Sequence, residues 1–194
     1  MTIRNKALAA LLGTVFLWSF MVVIARDAVS RTDPVVLLFL RLLFAFLAFM
    51  PFFLRSHVWK KPKFKTLAIV SLGSTTNLTF FMLGIAHTSA SASQVIYAAI
   101  PILILIISRY FQKHIHSVRK ITGIIIGFFG IALIVYLSAI EKGETIAGSL
   151  YGNSLVIVAM LGWTTYLLSS KQLSRYFAPL EIGSTTITVG FLVS

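Results

Sequence analysis

Acidic side chains are scarce in this chain, and cysteine is absent. Five Asp and Glu residues stand against 17 Lys and Arg in 194 residues, with no Cys. Without cysteine there is no disulfide framework, no thiolate metal site and no cysteine nucleophile. Charged residues make up only 11% of the chain, whereas an ordinary globular domain carries about 25%. So few charges cannot clothe a water-facing surface. What is present instead is hydrophobic: 58% of residues, with a mean hydropathy of +0.93. The composition is that of a membrane protein, with the lipid bilayer as its first partner.

The excess of basic residues, a net +12, could suggest nucleic acid. A nucleic-acid surface would gather its cations on one folded face among stacking aromatics. Here they fall in short clusters between long apolar runs, which is how topology is encoded in membrane proteins. Nucleic acid is therefore not an expected partner.

A helix needs about 20 apolar residues to cross the hydrocarbon core. Runs of that kind lie at about 7–24, 35–54, 66–86, 92–108, 121–138 and 152–170, and a seventh begins near Leu180. The first follows Arg4 and Lys6, but its apolar run exceeds the ~7–15 residues of a signal core and no A-x-A site follows. It reads as a retained helix. Alternate loops then differ in charge. One set holds Arg4 and Lys6, then Arg55, Lys60, Lys61, Lys63 and Lys65. It continues with Arg109, Lys113, Arg119 and Lys120, and ends with Lys171 and Arg175. The other set holds only Arg26, Arg31 and Lys142 among the acids Asp27, Asp33, Glu141 and Glu144. Positive-inside reasoning puts the amino terminus in the cytoplasm, in a bacterial cytoplasmic membrane crossed several times.

A shift of 145 residues brings Trp18 onto Trp163, Pro34 onto Pro179, and Phe46-Leu47 onto Phe191-Leu192. Five spans separate the copies, an odd number, so the two units run in opposite directions. That is the inverted-topology repeat of many transporters. The expected division is residues 1–140 for a first five-helix unit and 148–194 for the start of a second. A complete second unit would take the chain to roughly 290 residues and ten spans. The chain reads as a fragment or truncated frame, and self-association or a partner chain would complete the bundle.

Several motifs together carry a family resemblance. They are Gly13 to Ser19 around Trp18, Asp33-Pro34 with Arg41 after it, and His87 to Gln94 leading to Pro101. Gly123, Gly127 and Gly130, then Gly162-Trp163 and Ala178-Pro179-Leu180, complete the set. In order and spacing the chain resembles the EamA-like members of the drug/metabolite transporter superfamily. The resemblance implies an all-α integral membrane protein, a polytopic bundle built from a five-helix inverted repeat plus the opening of its second copy. It implies export or facilitated movement of a small-molecule substrate. One departure is His114, where the family usually has a glutamate nine residues before the glycine that starts the fifth helix.

Polar and aromatic residues at membrane depth are the candidate substrate-binding residues. Arg41 lies six residues into its helix, roughly 9 Å deep at 1.5 Å per residue. It either snorkels to the headgroups or meets a carboxylate-bearing solute. Asn77 and Gln94 are amides within spans; Tyr97 and Pro101 follow on the fourth helix, where proline frees a carbonyl. Trp18 and Trp163 lie mid-helix rather than in an interfacial belt, with Tyr166 three residues beyond Trp163. The alternative for each is ordinary helix packing.

The glycines of the fifth span read as close helix contacts, and His114 and His116 as loop residues without a third metal ligand. No G-x-x-x-x-G-K-[ST] occurs, no complete span holds Asp or Glu, and no cofactor is expected. An intramembrane enzyme would need such groups at depth, which makes it the weaker reading beside a transporter. The third reading is a non-transporting remnant.

Overall fold

The computed structural model describes residues 3–110, 116–141 and 148–194. His114, with its neighbour Lys113, and Lys142 and Glu144 lie outside the described residues. Among the described residues every regular element is a helix. Helix α1 spans Ile3–Arg31, where Arg31 pairs with Asp27 one turn back at 3.1 Å. Helix α2, Pro34–Ser56, starts sharply because Asp33 accepts hydrogen bonds from the Val35 and Val36 amides while Pro34 fixes the first φ. A single 3-10 turn, Val58–Lys60, leads to α3, Phe64–His87.

The fourth span was expected as one run over 92–108. The structure has one span, Ala90–Tyr110, interrupted at the single residue Ala99 into α4 at Ala90–Ala98 and α5 at Ile100–Tyr110. Pro101 is the cause: it has no N–H to return to the carbonyl of Tyr97, so α4 closes with Ala99 donating to Ile96 O. Helices α6, Val118–Glu141, α7, Leu150–Leu173, and α8, Pro179–Val193, complete the chain. Ser149 caps α7 by accepting from the Gly152 amide. At α8, Glu181 reaches back to the Ala178 amide instead.

The span Ala90–Tyr110 and the helices α2, α3, α6 and α7 are each long and apolar enough to cross a membrane. Large apolar side chains stand exposed on their outer faces, among them Phe44, Ile69, Ile126 and Ile134. In water such a surface would be a liability; in lipid it is the required solvent contact. The chain is a multi-pass, all-helical membrane protein.

Helix α3 is the centre of the bundle and packs along the length of α7. Four glycines on this seam, Gly73, Gly84, Gly152 and Gly162, leave no room for a side chain without a shift of their neighbours. A Cβ on Gly162 would stand 2.8 Å from Gly73 O, and one on Gly84 would stand 2.6 Å from Val156. A Cβ on Gly152 would meet the His87 carbonyl at 2.7 Å. Backbones that approach this closely gain dispersion contacts that lipid cannot match. The glycines of α6 do not fulfil the same expectation. Gly123, Gly127 and Gly130 have nothing within 4 Å where a Cβ would stand. The close contacts fall on the α3 and α7 glycines instead.

Two apolar clusters sit beside the seam. Leu38 and Leu42 of α2 pack with Phe81, Met82, Ile85 and Ala159. Val58, Leu67, Leu173, Phe177 and Ile182 form the second, at the end of the bundle that carries the basic loops. There Lys61 pairs with Glu181 at 2.7 Å and ties the turn after α2 to the start of α8. At the opposite end Thr88 donates to Asn153 at 2.6 Å and Ser149 donates to the His87 carbonyl. Alternate loops thus meet at opposite ends, as the loop charges required.

Candidate functional site

Mid-bundle, the Asn77 amide of α3 is buried at 4% exposure and spends both N–H groups on neighbours. It donates to the Tyr97 hydroxyl of α4 and to Ala159 O of α7, the latter at 3.0 Å. An amide at this depth has to be satisfied inside the protein, and this one binds three helices together. Tyr97 stands edge-on to Phe81 with ring centroids 5.2 Å apart.

The two mid-helix tryptophans meet. Trp18 of α1 and Trp163 of α7 stack with centroids 6.4 Å apart and planes 20° apart. Trp163 in turn stacks on Tyr166 at 5.4 Å and 27°, so three rings form a continuous aromatic wall. Trp18 remains 44% exposed. A second pair that the same 145-residue shift superposes also touches: Phe46 of α2 and Phe191 of α8 stack at 4.6 Å and 14°.

Beyond the rings lies a chain of hydroxyls. Tyr166 OH and Ser71 Oγ lie 3.2 Å and 3.1 Å from Thr186 Oγ1. Thr185 Oγ1, next along α8, is buried with no hydrogen-bond partner among the described residues. Ser71, Thr185 and Thr186 were missed in the sequence. The signal available was the recurrence of Ser71, Ser74 and Thr75 on successive turns of one apolar helix. Tyr166 also lines a cavity of about 630 Å³ whose other walls include Ile104, Leu167, Pro179 and Ile182.

Trp18, Trp163 and Tyr166 form one group, and Asn77 and Tyr97 form a second. The other three candidates are not joined to either by a hydrogen bond or ring contact. Arg41 is half-buried on α2, and its guanidinium lies 3.8 Å from the Met21 sulfur. Gln94 is half-buried on α4, one turn before Tyr97, and Pro101 is exposed at the helix break. Among the described residues no three His, Cys, Asp or Glu side chains gather as a metal site would require. At the basic end, the Lys63 ammonium lies over the Tyr176 ring at 3.6 Å. A hydrogen bond and positive charge from Lys63 hold that phenol below its usual pKa.

Fold and site together define a polytopic membrane protein with an aromatic and hydroxyl-lined interior and, among the described residues, no charged pair at its centre. Comparison with known proteins makes the assignment specific. The model of the EamA-like transporter family matches residues 5–136, and the chain belongs to that family. It is 25% identical to an uncharacterized transporter of Archaeoglobus fulgidus over 91% of this chain and 62% of that protein. It is 26% identical to a WAT1-related protein of Arabidopsis thaliana, over 94% of this chain and 61% of the relative. An uncharacterized transporter of Bacillus subtilis is 28% identical over 56% of this chain and 33% of its own length. The chain thus spans about three fifths of the length of the first two relatives. No solved structure matches it.

Proposed function

We propose that this chain forms the greater part of a secondary transporter that moves a small amphipathic organic solute by alternating access, as an exporter or a facilitator. The observation that carries this reading is the stack of Trp18 on Trp163. These residues occupy equivalent places in the two copies of the repeat, and inverted-repeat transporters hold their solute where the copies meet. The wall they make with Tyr166 suits a flat apolar body, and the Tyr97 hydroxyl suits a polar substituent. Arg41 adds attraction for a carboxylate nearer the mouth. No acid lies in a complete span, which favours exchange or facilitated diffusion over proton coupling. The basic loops favour a cytoplasmic amino terminus in a bacterial inner membrane.

A second reading has its own observation. Gly13 and the α6 glycines face open space, so surfaces suited to close helix contact are uncovered, and further helices or a second copy would complete the bundle.

The test compares flux with stability. Trp18→Ala and Trp163→Ala are made in the full-length gene product and reconstituted in liposomes with a panel of radiolabelled metabolites. A solute wall requires flux to fall about tenfold or more in both while the detergent melting temperature of Trp18→Ala stays near the parent. A packing role requires the reverse, with flux intact and a clear loss of melting temperature in both variants, smaller than the ~3–5 kcal/mol of a fully buried tryptophan because neither ring is buried.

A further inference from the structure

The basic end of the bundle contains more than scattered topology signals. A groove of about 1070 Å³ opens there between the start of α3, the end of α5, the start of α6 and the end of α7. Four cations line it, Lys63, Lys120, Lys171 and Arg175, and among the described residues no carboxylate does. Hydrogen-bonding groups line it too, namely Thr66, Ser108, Ser169, Gln172 and Ser174. Ser108 lies 2.7 Å from the His116 ring, which closes the wall between α5 and α6.

Positive-inside reasoning accounts for the presence of cations at this end, but not for their convergence on a walled cavity. Arg55, Lys60 and Lys65 belong to the same end and do not line it. The one acid at this end, Glu181, is committed to Lys61. None of the four lining cations forms an ion pair among the described residues. Lys63 is engaged with the Tyr176 ring, and Lys120 lies 3.5 Å from His116. All four are exposed, and Lys171 and Arg175 are the two with no side-chain hydrogen bond or ring contact among the described residues.

The groove also adjoins a second, open pocket. Ile104, Leu168, Lys171 and Ser174 line both it and the 630 Å³ pocket that reaches Tyr166. That adjoining space is mostly apolar, with Leu167, Pro179 and Ile182 among its walls. A cationic, hydroxyl-bearing mouth that opens onto an apolar trough has the chemical pattern of an amphipathic anion. Guanidinium and ammonium groups with adjacent hydroxyls hold phosphate or carboxylate oxygens, and basic pockets between membrane helices hold anionic headgroups. The volume suits a drug-sized ligand or a lipid headgroup with the start of its chain.

We infer that this groove binds an amphipathic anion, a phosphate or carboxylate head on an apolar body, with Lys171 and Arg175 gripping the head and the trough toward Tyr166 taking the body. The ligand is either the headgroup of an anionic phospholipid or a soluble organic anion. The inference rests on the transport reading only for the claim that the bound anion moves; binding itself is an equilibrium property.

The test uses the whole chain in phosphatidylcholine nanodiscs, with 2-naphthoate as probe and the uncharged 2-naphthamide as control, read by calorimetry. Naphthoate is expected to bind at least about tenfold more tightly than naphthamide, and Lys171→Gln with Arg175→Gln to remove that preference. Lys171→Arg with Arg175→Lys keeps both charges and is expected to retain it, which separates charge from folding. A parallel arm measures lipid retained on the purified chain from mixed phosphatidylglycerol and phosphatidylcholine membranes by native mass spectrometry. Retained phosphatidylglycerol that also displaces naphthoate identifies the lipid source; naphthoate binding that is unchanged in phosphatidylglycerol identifies the soluble one. Either supports the inference. Equal binding of naphthoate and naphthamide without phosphatidylglycerol retention would overturn it, as would a charge preference that survives the double glutamine variant. Charge-selective binding without any flux would count against the transport reading alone.

Discussion

Helices α1 and α3 both contact α7, and they do so in opposite ways. On α3 the contact is close and polar: glycines bring backbones together at Gly73 and Gly162, and Asn77 donates into the α7 carbonyl ladder at Ala159. On α1 the contact with α7 is the single stack of Trp18 on Trp163, while Met21 and Val29 reach the apolar cluster beyond. The rest of the described α1 surface before Met21 is exposed, including Leu12, Phe16 and Leu17. Local opening costs least where few apolar groups are buried. The difference therefore separates a closely packed wall, α3 with α7, from a sparsely packed one, α1.

The largest test of that separation adds bulk. Gly162→Leu is expected to cost about 3 kcal/mol or more, because the new side chain starts 2.8 Å from the Gly73 carbonyl and a backbone cannot give way. Gly127→Leu on α6 is expected to change stability by no more than about 0.5 kcal/mol, since nothing occupies the space. Urea or thermal unfolding in detergent compares the two. Equal losses would mean that the seam is no tighter than the lipid face.

A smaller effect belongs to the polar link. Asn77→Leu removes two hydrogen bonds at once and should cost about 1–2 kcal/mol, the range for interhelical bonds in membranes. Tyr97→Phe removes one and should cost less, about 0.6 kcal/mol. A loss from Tyr97→Phe as large as that from Asn77→Leu would assign the stabilisation to Tyr97 and not to the amide.

The long apolar runs and their alternation were legible from hydropathy, because lipid imposes a length and a composition that few soluble helices share. Which helices touch was not. Glycine stripes look alike in one dimension: the α6 stripe has the clearer spacing, yet Gly73, Gly84, Gly152 and Gly162 make the close contacts. Periodicity cannot say what stands opposite a small residue. Asn77 was legible as a buried amide in need of partners, whereas its choice of Tyr97 and Ala159 depends on the tertiary arrangement. Pro101 announced a freed carbonyl, and the structure answers with a one-residue interruption of the span at Ala99. The meeting of Trp18 with Trp163 had a sequence signal in the 145-residue shift that superposes them. The hydroxyl chain through Thr186 had little, because single hydroxyls in apolar helices usually bond to their own backbone, as Ser71 also does to Leu67 O.

The alternating-access proposal requires α1 to move against the α3–α7 wall, and the absence of cysteine makes that directly measurable. Spin labels attached through Leu17→Cys and Leu161→Cys report the distance between α1 and α7; labels through Ile69→Cys and Leu161→Cys report that between α3 and α7. All three positions are exposed. Pulsed electron–electron double resonance in nanodiscs should give a broad or two-peaked distribution for the α1–α7 pair and one narrow peak for the α3–α7 pair. Equally narrow distributions, or a broader one across the α3–α7 seam, would contradict the account.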